Sequence, residues 1–171
     1  MAERIAVTEK FVNAGVTHIV FAPVVEDVEA PTRTEIDAGT DLTREVTASS
    51  GWQVSSSRVT YNPLHSKFTP SIEGRLSVED SSLTFPQDIG GEDVREILPR
   101  GTRGFILIMH GGDVPDAPMD VWPVAVSSLG KTVSTEGTEV ANIVVSFAIV
   151  APPAEDIAIP SSSGGGGNPS P

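Results

Sequence analysis

The 171-residue chain contains no cysteine, which excludes disulfide bonds and thiolate metal sites and leaves the redox compartment open. It also lacks an apolar run of 18 residues, and residues 1–5 lack the apolar core of a signal peptide. We therefore predict no membrane helix and expect synthesis in the cytoplasm of a cell.

Positive charge is scarce, with 11 Lys and Arg against 23 Asp and Glu and a formal net charge of −12 at pH 7. A surface that grips nucleic acid needs clustered Lys and Arg, so this balance argues against such a surface. It suits a protein that must stay soluble or must not hold DNA. Many soluble proteins are acidic, so charge alone does not decide between these readings.

Patterns for metal binding and phosphate binding are missing. His18, His65 and His110 have no His or carboxylate at metal-ligand spacing. Residues 130–132 resemble the end of a phosphate-binding loop, but the required earlier glycine is Ala125. We therefore predict no metal and no cofactor.

Patterns for calcium binding and nucleophilic catalysis are missing as well. Asp113, Asp116 and Asp120 do not follow calcium-loop spacing, and prolines intervene. No G-x-S-x-G turn occurs. The sequence therefore gives no support for an enzyme.

Residues 93–126 carry the pattern of a core. Helical spacing predicts a short helix over residues 94–98, which Pro99 ends. The apolar run 105–109 predicts a buried strand, and residues 119–126 predict a second one that continues to a turn at Gly130. The candidate core residues of the chain are Val94, Ile97, Leu98, Phe105, Leu107, Trp122, Ile143, Val145 and Phe147.

Further elements flank this core. Residues 16–24 predict a buried strand, and residues 139–150 predict a last strand with one bulky face. Thr32 and Glu35 fit a capping box that starts a helix of one or two turns, ended by Gly39.

Residues 46–85 predict a long hairpin, built from strand-like segments 46–61 and 75–85, that is rich in Ser, Thr and charge. Such a hairpin has little to bury, so it is either a floppy surface element or packs on another subunit. The domain spans residues 1–160, and its end segments are predicted as an N-terminal arm (1–15), a C-terminal arm (151–160) and a flexible tail (161–171). The candidate arm contacts are Phe11, Ile157 and Ile159.

Several short segments resemble one family in their order and spacing. They are 80–85 (DSSLTF), 93–95 (DVR), 98–101 (LPRG), 104–106 (GFI), 111–112 (GG) and 120–124 (DVWPV), with a weaker echo in 35–43. The family is the tail tube (major tail) proteins of long-tailed, siphovirus-type bacteriophages, closest to those of actinobacterial phages.

The resemblance implies a mainly β fold, sandwich-like or barrel-like, with one short flanking helix, the hairpin and the extended arms. It implies stacked hexameric rings that form a tail tube for genome delivery, assembled in the host bacterial cytoplasm and residing in the virion tail. The implied partners are further copies of the chain, a tape-measure protein, tail-tip proteins and a tail terminator. DNA would pass without specific binding, and no membrane is involved.

An acidic lumen would repel phosphates, so that DNA slides without sticking. The candidate lumen acids are Glu45, Glu73, Glu79, Glu136 and Glu139. Each of these could instead be a solvated charge on the exterior.

Two alternatives stay open. One is another virion protein of related fold, such as a tail terminator or a capsid decoration protein. The other is a monomeric β-rich binding or enzyme domain, which would require a pocket with convergent polar groups.

Overall fold

A computed structural model describes residues 5, 8–91, 93–133, 135 and 137–161. Within these residues the chain is mainly β, and its strands do not close into a barrel. The strands are β1 (His18–Ala22), β2 (Thr40–Asp41), β3 (Ala48–Ser50), β4 (Val54–Thr60), β5 (Ser71–Val78), β6 (Ser81–Pro86), β7 (Arg103–Met109), β8 (Pro118–Lys131), β9 (Asn142–Ile149) and β10 (Ala154–Ala158). The helices are α1 (Arg33–Asp37) and α2 (Val94–Ile97).

The chain divides into two compact units. Unit 1 comprises Met1–Arg44, Gly104–Pro123 and Ala151–Pro171, and unit 2 comprises Glu45–Arg103 and Val124–Val150. Both units are therefore assembled from segments that are distant in sequence.

Unit 1 is organised around β1, which pairs antiparallel with β7 from His18↔Met109 to Ala22↔Phe105 and with β2 on its other side. The sequence prediction of buried strands at both places is confirmed. The start of β8 pairs antiparallel with β10, in a register that shifts between Ala154 and Ile157. The buried side chains of this core are Val20, Ala22, Val25, Ile36, Leu107, Met109, Met119, Val121 and Ile159.

Helix α1 begins with the capping box that the sequence predicted. The Thr32 side chain accepts a hydrogen bond from the Glu35 backbone N–H, and Glu35 Oε2 accepts one from the Thr32 N–H at 2.7 Å. Glu35 Oε1 also accepts the Glu26 N–H at 2.8 Å, so it ties the preceding loop to the helix. These bonds lower the pKa of Glu35 because they favour the charged carboxylate, and the bond from the Thr32 backbone N–H contributes most.

Unit 2 contains an antiparallel sheet in which the end of β8 pairs with β9, β9 with β6, and β6 with β3. Ile143, Val145 and Phe147 alternate along β9 and are buried, as their period of two predicts. The predicted turn at Gly130 is wrong, since β8 continues to Lys131.

The long hairpin of the sequence prediction is interrupted on both sides. Gly51, with φ +99°, separates β3 from β4, and Glu79 and Asp80 separate β5 from β6. A Cβ at Gly51 would lie 2.5 Å from the Asp80 carbonyl oxygen, so a side chain there would clash. The predicted single strands over 46–61 and 75–85 are therefore wrong in their continuity.

Asp93 is the N-cap of helix α2, and its side chain accepts a hydrogen bond from the Arg95 N–H at 3.0 Å. Val94 and Leu98 are buried as predicted. The prediction of Ile97 as a core residue is wrong, because this side chain is 38% exposed. The backbone of Leu98 is no longer helical, with φ −123° and ψ 58°. The helix therefore ends so that Leu98 is buried and Ile97 is not.

The remaining predicted core residues also differ from one another in burial. Leu107 and Trp122 are fully buried. Phe105 is only half-buried and packs against the edge of the unit 1 core.

Candidate functional site

The β4–β5 hairpin (residues 54–78) forms a sheet of its own in the described chain. Its register runs antiparallel from Val54↔Val78 to Thr60↔Ser71, with a bulge between Ser56 and Arg58. The bulge adds one residue to β5, where Gly74 and Arg75 lie opposite Ser57, and it twists the pair locally.

One side of the hairpin is apolar toward its tip. Val59 and Ile72 are direct cross-strand partners on this face, and they are 47% and 58% exposed. Leu76 is 72% exposed and lies on the other face, because its partner Ser56 is three residues from Val59 along β4. Tyr61, two residues beyond Val59, extends this apolar face toward the tip.

The tip of the hairpin is apolar and exposed as well. Leu64 is fully exposed and Phe68 is 75% exposed. The tip is shaped by short local hydrogen bonds, such as that from the Phe68 N–H to Ser66 Oγ at 3.0 Å. A two-stranded ribbon with unburied apolar side chains is marginal by itself. An apolar patch of this kind is typical of a surface that another molecule covers.

The charged side chains of the hairpin are divided between its two faces. Arg58 is the cross-strand partner of Glu73, and Arg75 lies in the bulge, where the alternation of side chains along β5 changes sides. The hairpin carries Arg58, Lys67 and Arg75 against Glu73 alone, which gives it a formal charge of +2 in a chain of −12.

The candidate lumen acids are placed as follows. Glu45, Glu73, Glu79 and Glu139 are exposed and belong to unit 2, whereas Glu136 lies outside the described residues. Glu73 is the cross-strand partner of Arg58, so its charge is offset locally. The other three described acids have no such cross-strand arginine.

The predicted arms behave differently from each other. Phe11 is 56% exposed, while Ile159 is buried in the unit 1 core and Ile157 packs against that core. The Ile159 N–H donates to the Ala117 carbonyl oxygen at 2.9 Å, and the Ile159 carbonyl accepts the Asp116 N–H at 3.0 Å. In this structure the C-terminal arm is thus a strand of its own chain, and the tail from residue 162 lies outside the described residues.

Unit 1 contains a cleft of about 190 Å³, which we call the acidic cleft. Its lining residues are His18, Val20, Arg33, Ile36, Asp37, Gly39, Asp41, Met109 and Asp113. Arg33 binds both oxygens of Asp113, at 2.5 and 2.7 Å, and Asp37 at 2.7 Å. The Asp113 hydrogen bonds raise the pKa of Arg33, and those from Arg33 lower the pKa of Asp113.

Neither chemical catalysis nor metal binding is supported by these surfaces. Among the described residues, no group of three or more His, Asp or Glu side chains could hold a metal ion. No helix of the described chain is long and apolar enough to cross a membrane.

Sequence reasoning missed the two most distinctive surface features. The apolar residues of the hairpin were visible in the sequence, but the extra residue in β5 puts Ile72 and Leu76 on opposite faces, which no local period predicts. The Arg33–Asp113 pair joins residues 80 positions apart, and only the i,i+4 spacing of Arg33 and Asp37 was visible in the sequence.

Comparison with known proteins adds one family and a set of structures. The sequence model of a family described as phage tail tube protein matches residues 6–162 of this chain. A search of curated proteins finds no match.

The solved structures share the fold at low sequence identity. The cap of an anti-feeding prophage, its tube-terminating cap, has a TM-score of 0.55 and 13% identity over 85% of this chain and 90% of that one. The sheath/tube terminator of an extracellular contractile injection system (PVC) has a TM-score of 0.57 and 10% identity over 82% and 94%. A chain of the sheath-tube complex of that system has a TM-score of 0.53 and 11% identity over 77% and 82%.

Proposed function

The chain belongs to the phage tail tube protein family, and we propose that copies of it assemble into stacked hexameric rings forming the tube of a siphovirus-type tail, as in actinobacterial phages. As a family member it is a structural component of a phage tail and not an enzyme. Beyond family membership, we propose the closed ring, the stacking of rings and the passage of DNA through the tube.

The observation that carries the proposal is the set of uncovered apolar side chains on the β4–β5 hairpin. Val59, Ile72 and Leu76 are each about half exposed or more, although one copy has a buried core elsewhere. Burying such side chains against a second copy stabilises the contact by about 25 cal/mol per Å² of apolar surface removed from water. A contact between different surfaces of two copies is heterologous, and it closes into a ring if the rotation permits.

Open strand edges support the same assembly. In unit 2, β3 ends the sheet, and all its residues are exposed. Pairing such an edge with a strand of another copy would satisfy its backbone groups and remove an aggregation risk.

The proposed tube has an acidic lumen. We assign Glu45, Glu79 and Glu139 to the tube interior, where carboxylates would let DNA pass without binding. Among the predicted lumen acids, Glu73 has the weakest support, because Arg58 is its cross-strand partner. The tape-measure protein, tail-tip proteins and a tail terminator are the proposed partners, with assembly in the host bacterial cytoplasm.

A tail terminator is the second candidate function. It is favoured by the fold shared with a tube-terminating cap and a sheath/tube terminator. A terminator would form one ring that does not stack, whereas a tube protein would stack.

The test replaces two exposed apolar residues of β5, in the variant Ile72→Asp with Leu76→Asp. We expect purified protein at high concentration, with tail-tip complex as template, to lose rings and tubes in electron micrographs. Thermal unfolding of the free chain should change little, since both side chains are exposed.

The matched control is Ser71→Asp with Ser77→Asp, which adds the same charge to the same strand without removing an apolar side chain. This control should still assemble. Tubes of normal length from the Ile72/Leu76 variant would refute the role of these apolar side chains, and single unstacked rings from the natural chain would favour the terminator.

A further inference from the structure

The sheet of unit 2 has a different attachment at each of its ends. Strand β6 runs from one end to the other: the β4–β5 hairpin precedes it at Ser81, and the loop 87–93 follows it at Pro86. The loop 132–141, which joins β8 to β9, starts from the same end as the loop 87–93, because Pro86 pairs with Asn142. We call these two loops the loop end of unit 2. The six residues of β6 separate it from the base of the hairpin by about 17–20 Å.

The loop end exposes apolar side chains. Ile89 is fully exposed, and Val133 and Val140 are mostly exposed. The two loops are neighbours, since the Gln87 N–H donates a hydrogen bond to the Ala141 carbonyl oxygen at 2.8 Å. Exposed apolar side chains on adjacent loops are typical of a surface that another molecule covers.

The loop that carries Ile89 is fixed by hydrogen bonds. Asp88 Oδ1 accepts the Gly91 N–H at 2.8 Å, and Asp93 Oδ2 accepts the Asp88 N–H at 3.1 Å. Arg95 Nη2 donates to the Asp88 carbonyl oxygen at 3.2 Å and is itself bound to Asp93 at 2.7 Å. A side chain on a fixed loop loses little conformational entropy when it is buried, so Ile89 is suited to anchor an interface.

The tip of the hairpin, between β4 and β5, has a complementary composition. It exposes the apolar side chains of Leu64 and Phe68 beside Lys67, on a hairpin that is positive by two. The sequence of the loop end contains five Asp and Glu and no Lys or Arg, and the flanking Arg95 and Lys131 leave it negative by three. The two surfaces are therefore both partly apolar and opposite in charge.

We propose that the hairpin tip of one copy docks on the loop end of a second copy in the next ring; this inference deepens the proposed function and rests on it. Leu64 and Phe68 would cover Ile89, and Lys67 would lie among the carboxylates. Leu64 and Ile89 are both fully exposed in a single copy, so these two side chains do not cover each other there. A second copy supplies the missing surface to each.

The placement of the two surfaces gives the contact a direction. The tip and the loop end are different surfaces, so the contact is heterologous and every copy has one of each. Such a contact extends from copy to copy without limit where it does not close by rotation, and a stack of rings requires this. Two loop ends would oppose like charges, which disfavours the reversed orientation and gives the stack one polarity.

The absence of cysteine makes disulfide cross-linking a direct test. One chain would carry both His65→Cys, in the tip, and Ala141→Cys, at the loop end; both positions are exposed. A disulfide forms only where the Cα atoms approach to about 7 Å or less. Oxidised tubes should give a ladder of linked chains on a non-reducing gel. The ladder should exceed the number of chains in one ring, because the contact passes from ring to ring.

The matched control moves the second cysteine to the opposite end of the same sheet. Ala148→Cys is also exposed, and it lies on β9 next to Phe147, the partner of Ser81. Combined with His65→Cys, it should give at least about tenfold less linked product in tubes, since the tip does not reach it. Each single variant should give dimers at most.

Substitutions then test the recognition. Ile89→Asp should lower the ladder yield about tenfold and leave thermal unfolding nearly unchanged, since the side chain is fully exposed. Val24→Asp adds the same charge at an exposed apolar position of unit 1 and should leave the yield unchanged. Lys67→Glu should lower the yield at least about threefold, because it opposes like charges, whereas Lys67→Arg should not.

The outcomes separate this inference from the proposed function. Normal tubes without the ladder of the Ala141→Cys chain, or with a stronger one from Ala148→Cys, overturn the docking and leave the tube standing. A ladder that ends at the number of chains in one ring also overturns it, since the contact would then lie within a ring. Failure of the natural chain to form tubes overturns the proposed function itself.

Discussion

Asp93 is the residue whose replacement gives the most informative stability measurement. Its Oδ1 accepts the Arg95 backbone N–H at 3.0 Å and Arg95 Nε at 2.7 Å, while Oδ2 accepts Arg95 Nη2 at 2.7 Å and the Asp88 N–H at 3.1 Å. The Asp93 side chain is only 7% exposed. One carboxylate thus caps α2, fixes an arginine and holds the preceding loop.

The expected cost follows from these bonds. Loss of an N-cap costs about 1 kcal/mol, and a donor left without its charged partner costs about 1–2 kcal/mol more. We therefore expect Asp93→Ala to lower the free energy of unfolding by about 2–3 kcal/mol. Asp93→Asn keeps a capping oxygen and should lose about 1–2 kcal/mol.

The pH dependence gives an independent measure of the same site. Hydrogen bonding from the Arg95 side chain, above all, lowers the pKa of Asp93 from 3.8 to about 2. Because the folded value lies below the ordinary one, the stabilisation is present above about pH 4–5 and disappears as the pH falls toward 2. Discounted for the partly exposed arginine, it is about 1–2 kcal/mol at pH 7.

The assay is urea unfolding followed by tryptophan fluorescence, on the natural chain and Asp93→Asn at several pH values between 7 and 2.5. The other carboxylates titrate in both proteins and cancel in the difference. The gap between the two free energies of unfolding should close as the pH falls. A gap that stays constant down to pH 2.5, or an Asp93→Ala variant within about 0.5 kcal/mol of the natural chain, would refute this account of the site.

Two further predictions concern packing and use thermal unfolding as the measurement. Gly104→Ala should destabilise by about 1–3 kcal/mol, because the new Cβ would lie 2.5 Å from the Phe21 ring; Gly130→Ala, with its nearest atom at 3.9 Å, should stay within about 1 kcal/mol. Equal effects of the two would contradict the packing at β1. Leu98→Ala should cost about 2–5 kcal/mol, since that side chain is fully buried, and Ile97→Ala about 1 kcal/mol or less; the reverse order would show that the end of α2 is misassigned.

Local patterns determined much of the secondary structure. Thr32 and Glu35 predict the start of α1 from the sequence, because a capping box involves only four consecutive residues. The alternation of Ile143, Val145 and Phe147 determined which face of β9 is buried, since side-chain direction has a period of two in a strand.

Other features depend on where the backbone turns, and the local pattern does not contain that. Ile97 and Leu98 are equally apolar neighbours, and the exit of the chain from α2 after one turn selects the second for burial. Gly51 looked like an ordinary break in a serine-rich segment, and its close approach to Asp80 comes from the pairing of β3 with β6.

The sequence by itself determined an acidic, cysteine-free, mainly β chain with a hairpin that cannot bury itself. Only the tertiary structure decided that the C-terminal segment pairs with β8 of its own chain, and that Asp113 meets Arg33. The physical reason is that a side chain's polarity is set at its own position, whereas its partner depends on which distant strands the fold brings beside it. For the same reason, the sequence contains the apolar residues of β5, whereas the pairing with β4 decides which face of the hairpin each of them lies on.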